Sequence, residues 1–270
     1  MARGEDVLDV PATLAARIRV FATKRSTKND PNDVHSIALA ALRAPVLCRV
    51  EPADHTEVLR LLSKRNWDLG RQRARAVCRL HSLFSELAPG GIAKEMYVSD
   101  AEVLLAKVNP ESPAQQMRVD LILGLLDDVR RLDGQTKESH RRIRLAVKAS
   151  ETSVTEVHRV GPVRAASLIG YSGDISRFAN RDAYASYNCT APIEISSGGR
   201  TVHRLSMRGS RRLNNTLHVA AVTQIRNPGT EGRIDFERKV AEGKTKKEAL
   251  RSLKRQISNA VCRHLVLDAG

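Results

Sequence analysis

Aromatic residues make up only 3% of the 270-residue chain, which leaves few platforms for stacking unpaired bases and argues against a single-strand binder of the OB or RRM type. Cysteine is scarce too. Cys48, Cys78, Cys189 and Cys262 lie far apart with no C-x-x-C pair, a distribution that fits neither a disulfide framework nor a zinc site and is expected of buried thiols. No run approaches the roughly 18 apolar residues of a membrane span, and the opening MARGEDVLDV has no apolar h-region. Membrane insertion and secretion are therefore disfavoured, and a cytoplasmic chain with no membrane partner is expected. Acidic groups are in deficit: 30 Asp and Glu face 45 Lys and Arg, leaving +15. That excess makes a small-metabolite enzyme less apt and points to a polyanionic partner.

What is present suffices for a packed core, since 41% of the residues are apolar. The charge is unevenly spread. Residues 1–50 carry net +3, residues 51–113 are neutral, residues 114–150 carry +3 and residues 151–270 carry +9, so the last block is where a polyanion is expected to sit.

Apolar spacing organises the chain. Val7 to Val10 reads as a short strand, followed after Pro11 by an amphipathic turn or two. Beyond the basic loop from Lys24 to Lys28, a helix is predicted with Asp30 as N-cap and Pro31 in its first turn. Helical periodicity from Glu51 to Leu87 predicts one long helix, stopped by Ala88-Pro89-Gly90-Gly91, and a second runs from about Ala114 to Val147. The two are expected to pair as an antiparallel coil, with a short helix around Ala101 to Val108 between them. The last 120 residues read as several short helices, the first over Glu151 to Arg159 and the next resuming from Val163, around Val160-Gly161-Pro162. This resembles a helix-hairpin-helix whose second helix offers free N–H groups near Gly161 to a phosphate; ordinary Gly-Pro punctuation is the alternative. A helix from Leu213 to Ile225 and a terminal one from about Lys246 to Leu265 complete the pattern.

Three constellations have chemical potential. Asp30 and Asp33, three residues apart at a helix start, can share a Mg²⁺, although capping and dipole stabilisation are simpler explanations on spacing alone. In Ile193-Glu194-Ile195-Ser196-Ser197-Gly198-Gly199, apolar alternation suggests a strand and Ser-Ser-Gly-Gly a tight turn that exposes a hydroxyl. A serine hydroxyl is a weak nucleophile without a base or metal, so an ordinary turn is the local alternative. Finally, Arg200, His203, Arg204, Arg208, Arg211 and Arg212 fall within thirteen positions. Their guanidinium forks suit phosphate oxygens and guanine edges, and the density points to nucleic-acid contact.

The order of these features resembles the IS110 insertion-sequence transposases. The matching residues are Lys28, Asp30, Asp33 and Val34; Val160 to Pro162; Gly173 to Phe178; Ala185, Tyr187 and Pro192; Ser197 and Gly198; Arg204 to Ser206; and Gly209, Leu213 and Leu217, with Ala241 to Leu250 entering the last helix. The resemblance implies a mainly α chain: a partial RuvC-like α/β domain over residues 1–50, a helical coiled-coil region over 51–150, and a C-terminal domain over 151–270. It further implies a DNA recombinase in which Asp30 and Asp33 belong to a four-carboxylate Mg²⁺ site, with Ser197 as nucleophile. The composite site would form in trans within a homo-oligomer, guided by a structured RNA that pairs with double-stranded donor and target DNA. Lys24, Arg25, Lys28, Gly161, Arg200, Arg204, Arg208, Arg211 and Arg212 are then the expected nucleic-acid contacts. Family members carry two earlier acidic ligands, whereas 29 residues precede Asp30 here, so the chain looks N-terminally truncated. Cys189 stands where the family carries glycine. The alternative is a catalytically inactive fragment that still binds nucleic acid.

Overall fold

A computed structural model describes residues 7–23, 29–44, 47–49, 54–87, 97–197, 200–205 and 209–270, with backbone alone at 22–23, 48–49, 195–197 and 200–205. It divides into two compact units, residues 1–54 and residues 55–270. Among the described residues no helix is long and apolar enough to cross a membrane.

In the first unit, strand β1 (Leu8–Asp9) pairs antiparallel with β2 (Cys48–Arg49). Helix α1 (Ala12–Thr23) packs on α2 (Asp30–Arg43). Pro11 opens not one or two turns but a 12-residue helix. The N-cap of α2 is Asn29 rather than Asp30: its side chain accepts from the Asn32 N–H at 2.9 Å. An amide oxygen at that position closes the first turn as a carboxylate one residue later would, and Asp30 becomes the first helical residue.

The second unit begins with α3 (His55–Leu87), α4 (Val98–Leu105) and α5 (Pro113–Ala149). Ser112 caps α5, Pro113 fits its first turn, and 37 helical residues follow, a rod of roughly 55 Å at 1.5 Å per residue. α3 and α5 run antiparallel, tied by Arg118 to Glu86 at 2.7 Å and by Arg73 to Asp133 at 2.5 Å. At one end Ala76, Leu80 and Phe84 interlock with Ile122, Leu126 and Val129, and Ala101 of α4 closes this small core. At the other, Leu59, Ile143 and Val147 join the main core of the unit. Cys78 is exposed, contrary to the expected buried thiol, because it lies two residues from both Ala76 and Leu80 and therefore faces away from the seam. Cys189 and Cys262 are buried as expected.

The expected helix over Glu151 to Arg159 is a single 3₁₀ turn, Ser153–Glu156. Its start is diverted by side chains: the Asp268 carboxylate accepts from Thr152 Oγ1 and Ser153 Oγ, each at 2.6 Å, and from the Ser153 N–H. Arg159 then turns the chain with φ 62°, where a hairpin of this kind ordinarily places glycine. Helix α6 (Pro162–Ser172) comes next, then a 3₁₀ turn at Ile175–Arg177 and α7 (Arg181–Tyr187). A ribbon of β3 (Pro192–Ser197) and β4 (Arg200–Leu205) precedes α8 (Arg211–Arg226), α9 (Glu231–Ala241) and α10 (Lys246–Ala269). Sequence periodicity missed α7 and α9, which are short and held by their caps Asn180 and Thr230. The main core buries Ala165, Leu168 and Ile169 of α6 against Leu213 and Leu217 of α8 and Leu253, Ile257 and Val261 of α10.

Two close backbone approaches fix the placement of α6 and of the ribbon. At Gly170 a Cβ would stand 2.4 Å from the Arg60 backbone nitrogen, so α6 rests directly on the backbone of α3. At Gly209 it would stand 2.1 Å from the Tyr187 carbonyl oxygen, and the Ser210 N–H donates to that same carbonyl at 2.6 Å. The feet of the ribbon are thus pinned. The Asn214 amide nitrogen donates to the carbonyls of Asn188 and Cys189 at 3.1 and 3.0 Å, and the buried Lys254 ammonium donates to Asn214 Oδ1 at 2.8 Å. Asn188 in turn holds Ser258 and Thr190. Cys189 has φ 60°, a conformation that glycine reaches without strain, which gives a physical reason for the glycine expected there.

Gly170→Ala should lower unfolding free energy by about 1–3 kcal/mol or more in urea titration, since backbone cannot yield as a flexible side chain does. Burial holds the Lys254 ammonium below the ordinary lysine value of 10.5. The folded state therefore sheds this proton before the unfolded chain does, and stability from this group rises with pH between the lowered folded value and 10.5. Lys254→Met should remove that alkaline rise, visible as a pH-dependent difference between the two proteins in urea unfolding.

Candidate nucleic-acid interface

Helix α6 opens without a side-chain cap: Gly161 is the N-cap and Pro162 the first helical residue. The Gly161 carbonyl accepts from both the Arg164 and Ala165 N–H groups at 2.9 Å. Such a start presents the positive end of the helix dipole, which favours anions. The element before it is the 3₁₀ turn, so Gly161 stands at a helix start but not between two α-helices of a hairpin. Arg164 reinforces the charge there. Its Nη1 donates to the Arg159 carbonyl and its Nη2 to Thr223 Oγ1, both at 3.2 Å, so neutral acceptors orient a guanidinium whose charge they do not cancel.

Beside it, Ser210 caps α8 by accepting from the Leu213 N–H and sets Arg211 and Arg212 in the first turn. The Arg212 guanidinium lies 3.3 Å from the Trp67 ring centroid and that of Arg71 lies 4.5 Å from it. Cation–π contact on the one tryptophan of the chain holds two cations together, and neither forms an ion pair among the described residues. Sequence reasoning selected Arg212 but passed over Trp67 and Arg164. The available signal was a lone tryptophan in an arginine-rich helix.

Between these helices, β3 and β4 pair with Ser197 opposite Arg200, so that two residues, Gly198 and Gly199, connect them. Ser197 is thereby the last residue of β3, so that Ser196 and Ser197 belong to the strand rather than to the Ser-Ser-Gly-Gly turn expected from the sequence. Arg200 and Arg204 lie on β4. The side chains of Ser197, Arg200 and Arg204 fall outside the described residues, as do Arg208, Lys24, Arg25 and Lys28 and the turn glycines themselves. The Gly173 to Phe178 motif is structural: Asp174 caps the 3₁₀ turn, Ile175 is buried, and Phe178 packs 5.1 Å from Tyr187, ring centroid to centroid.

Asp30 and Asp33 occupy the first turn of α2 in the first unit. Asp33 is ion-paired with Arg19 of α1. Among the described residues no group of three His, Cys, Asp or Glu side chains converges on a metal-sized site.

Comparison with known proteins finds a family match over part of the chain. Residues 151–233 match the family described as Transposase IS116/IS110/IS902 family. Over 303 aligned residues the chain is 26% identical to the insertion element IS116 uncharacterized 44.8 kDa protein of Streptomyces clavuligerus, spanning 95% of this chain and 75% of that protein. Arg164, the ribbon that ends on Ser197, and the Arg211-Arg212 pair all lie inside the stretch by which this chain matches the insertion-sequence transposases.

Proposed function

We propose that the chain acts as a DNA transposase or recombinase of an insertion element. In this reading residues 151–270 grip double-stranded DNA and a structured guide RNA, the protein works as a homo-oligomer, and strands are joined by Mg²⁺-assisted transesterification. The observation that carries it is a coincidence. The stretch that matches the transposase family holds eleven arginines, no lysine and six carboxylates. Arginine alone offers the planar fork that meets phosphate oxygens two at a time.

Ser197, at the tip of a ribbon with braced feet, is the nucleophile of this reading. Its Oγ forms a bond to phosphorus as the bond to the leaving deoxyribose oxygen breaks; the hydroxyl proton passes to solvent or a base, and the leaving oxygen ends protonated. A divalent ion, when bound, would polarise the scissile phosphate. Asp30 and Asp33 would supply two of its oxygen ligands, with Asp33 exchanging its Arg19 partner for the ion and the remaining ligands coming from outside the pair. The RuvC-like character of the first unit belongs to the same proposal. The Arg19–Asp33 ion pair also favours a second reading, in which the chain binds nucleic acid without cutting it.

Binding of labelled duplex DNA to the full chain should be steeply salt-dependent. About six to ten phosphate contacts lower affinity roughly 10³- to 10⁵-fold between 50 and 200 mM salt, and Arg164→Ala or Arg211→Ala should each reduce the logarithmic slope by about 1. A flat salt response removes both readings. Strand cleavage separates them: with Mg²⁺, the first predicts a denaturant-stable protein–DNA adduct that Ser197→Ala abolishes without loss of binding and Asp33→Asn suppresses. The second predicts no adduct from either the parent or the variants.

A further inference from the structure

Residues 51–113 carry no net charge, yet the long helix inside that block is far from neutral: α3 holds seven Lys and Arg against three carboxylates. The balancing acid lies outside it, just before α3 and around α4. Of the three carboxylates of α3, Glu57 pairs with Arg60 and Glu86 with Arg118, which leaves Asp68. Arg71, Arg75 and Arg79 recur every four residues and are exposed, while Ala76 and Leu80 of the same turns are buried against α5. The three guanidinium groups therefore form a row on the side of α3 away from the seam, about 12 Å long at 1.5 Å per residue. Arg73, nearer the seam, pairs with Asp133; among the described residues none of the three in the row forms an ion pair, with Asp68 or with any other carboxylate.

The row continues beyond the coil. Arg71 lies 4.5 Å from the Trp67 ring centroid and Arg212 of α8 lies 3.3 Å from it, so the row and the first turn of α8 meet on one indole. Arg211, exposed next to Arg212, forms no ion pair among the described residues. The exposed cations of α5 are arranged otherwise: Arg130, Arg131 and Arg141 each pair with an Asp or Glu three residues earlier. Like charges four residues apart disfavour a helix by about 0.2–0.5 kcal/mol per pair, so an unpaired row of three is a cost that an external anion offsets. One small anion would satisfy one or two of these guanidinium groups, whereas a linear set of five matches a partner whose negative charge repeats along a line. We propose that this face of α3 is a docking surface for double-stranded DNA, whose phosphates run from Arg211 and Arg212 past Trp67 onto Arg71, Arg75 and Arg79. DNA is the occupant because the row starts at the cluster that the reading above places on duplex DNA. The proposal rests on that reading and adds α3 to a grip otherwise confined to residues 151–270.

The test titrates labelled duplex DNA into the full chain across a salt series and repeats it with the triple variant Arg71→Gln, Arg75→Gln, Arg79→Gln. Glutamine removes the charge and keeps helix propensity. A control variant, Arg130→Gln, Arg131→Gln, Arg141→Gln, removes the same charge from the paired arginines of α5. The row variant should lower the logarithmic salt slope by about 2–3 and the control should leave it unchanged, with urea unfolding showing that both fold. Cys78 gives a direct reading, because it is exposed, three residues beyond Arg75, whereas Cys189 and Cys262 are buried. In a Cys48→Ser background its alkylation by a maleimide should slow several-fold when duplex saturates the protein. An unchanged slope in the row variant, with Arg211→Ala still lowering it, overturns the proposal and leaves the duplex-DNA reading standing; failure of the parent to bind DNA even at low salt overturns both. Equal falls in the row and control variants show that net charge alone acts, and an unprotected Cys78 shows that DNA does not lie on this face; each overturns the proposal. With the DNA slope unchanged, a lowered slope for an RNA hairpin assigns the row to RNA, and loss of self-association in sedimentation assigns it to a second copy of the chain; either result overturns it as well.

Discussion

Helix α6 lies on the backbone of α3 with nothing but hydrogen at the contact, and residues 55–270 are arranged around that approach. Gly170 meets Arg60 at one end of the crossing, and Gly161 to Ser167 lie beside Ser63, Asn66 and Trp67 at the other. The small residues Ala165 and Ala166, both fully buried, help α6 sit close in the core that α8 and α10 complete. Packed interiors of this density do not deform gradually. The first turn of α6 and its dipole are therefore fixed relative to α3 and α8 by core packing, and Arg164 is oriented by its own bonds to the Arg159 carbonyl and Thr223 Oγ1.

The same frame sorts the arginines into two populations. Along the paired helices, Arg73, Arg118, Arg131 and Arg141 face Asp133, Glu86, Asp128 and Glu138. Exposed pairs of that kind contribute little to stability, about 0–1 kcal/mol, but they neutralise the charge locally. Arg164 and Arg212 are held instead by a carbonyl, a hydroxyl and an indole face. Their orientation is set while those contacts leave their charge uncancelled. The ribbon is held on the same principle. A buried amide and ammonium network from α8 and α10 grips the chain at Asn188 and Cys189, just before β3.

Periodicity made the long helices legible, and their antiparallel pairing with them, because 33 and 37 helical residues repeat the signal many times over. It chose the wrong stripe in places. Val58, Leu61, Met117 and Leu121 are half exposed or more, whereas Ser63 and Ser139 sit on the buried seam. A serine in a buried row looks like a break in the pattern, yet Ser63 is 4% exposed. The helix expected over Glu151 to Arg159 failed for a non-local reason, since the carboxylate that captures Thr152 and Ser153 arrives from Asp268 near the other end of the unit.

By itself, then, the sequence determined the helical class, the two long helices, a strand leading toward Ser197, and the concentration of cations in the last block. These arise from spacing and composition, which act over a few turns or over the chain as a whole. Only the tertiary structure decided that Asn29 rather than Asp30 caps α2, that Asp33 pairs with Arg19, and that Trp67 gathers Arg71 and Arg212. It also decided that Ser63, Asn66, Pro162 and Val219 line one cleft. Most of those partners lie far apart along the chain, and nothing in local propensity or charge density records which side chains a packed core will bring within hydrogen-bonding or stacking distance.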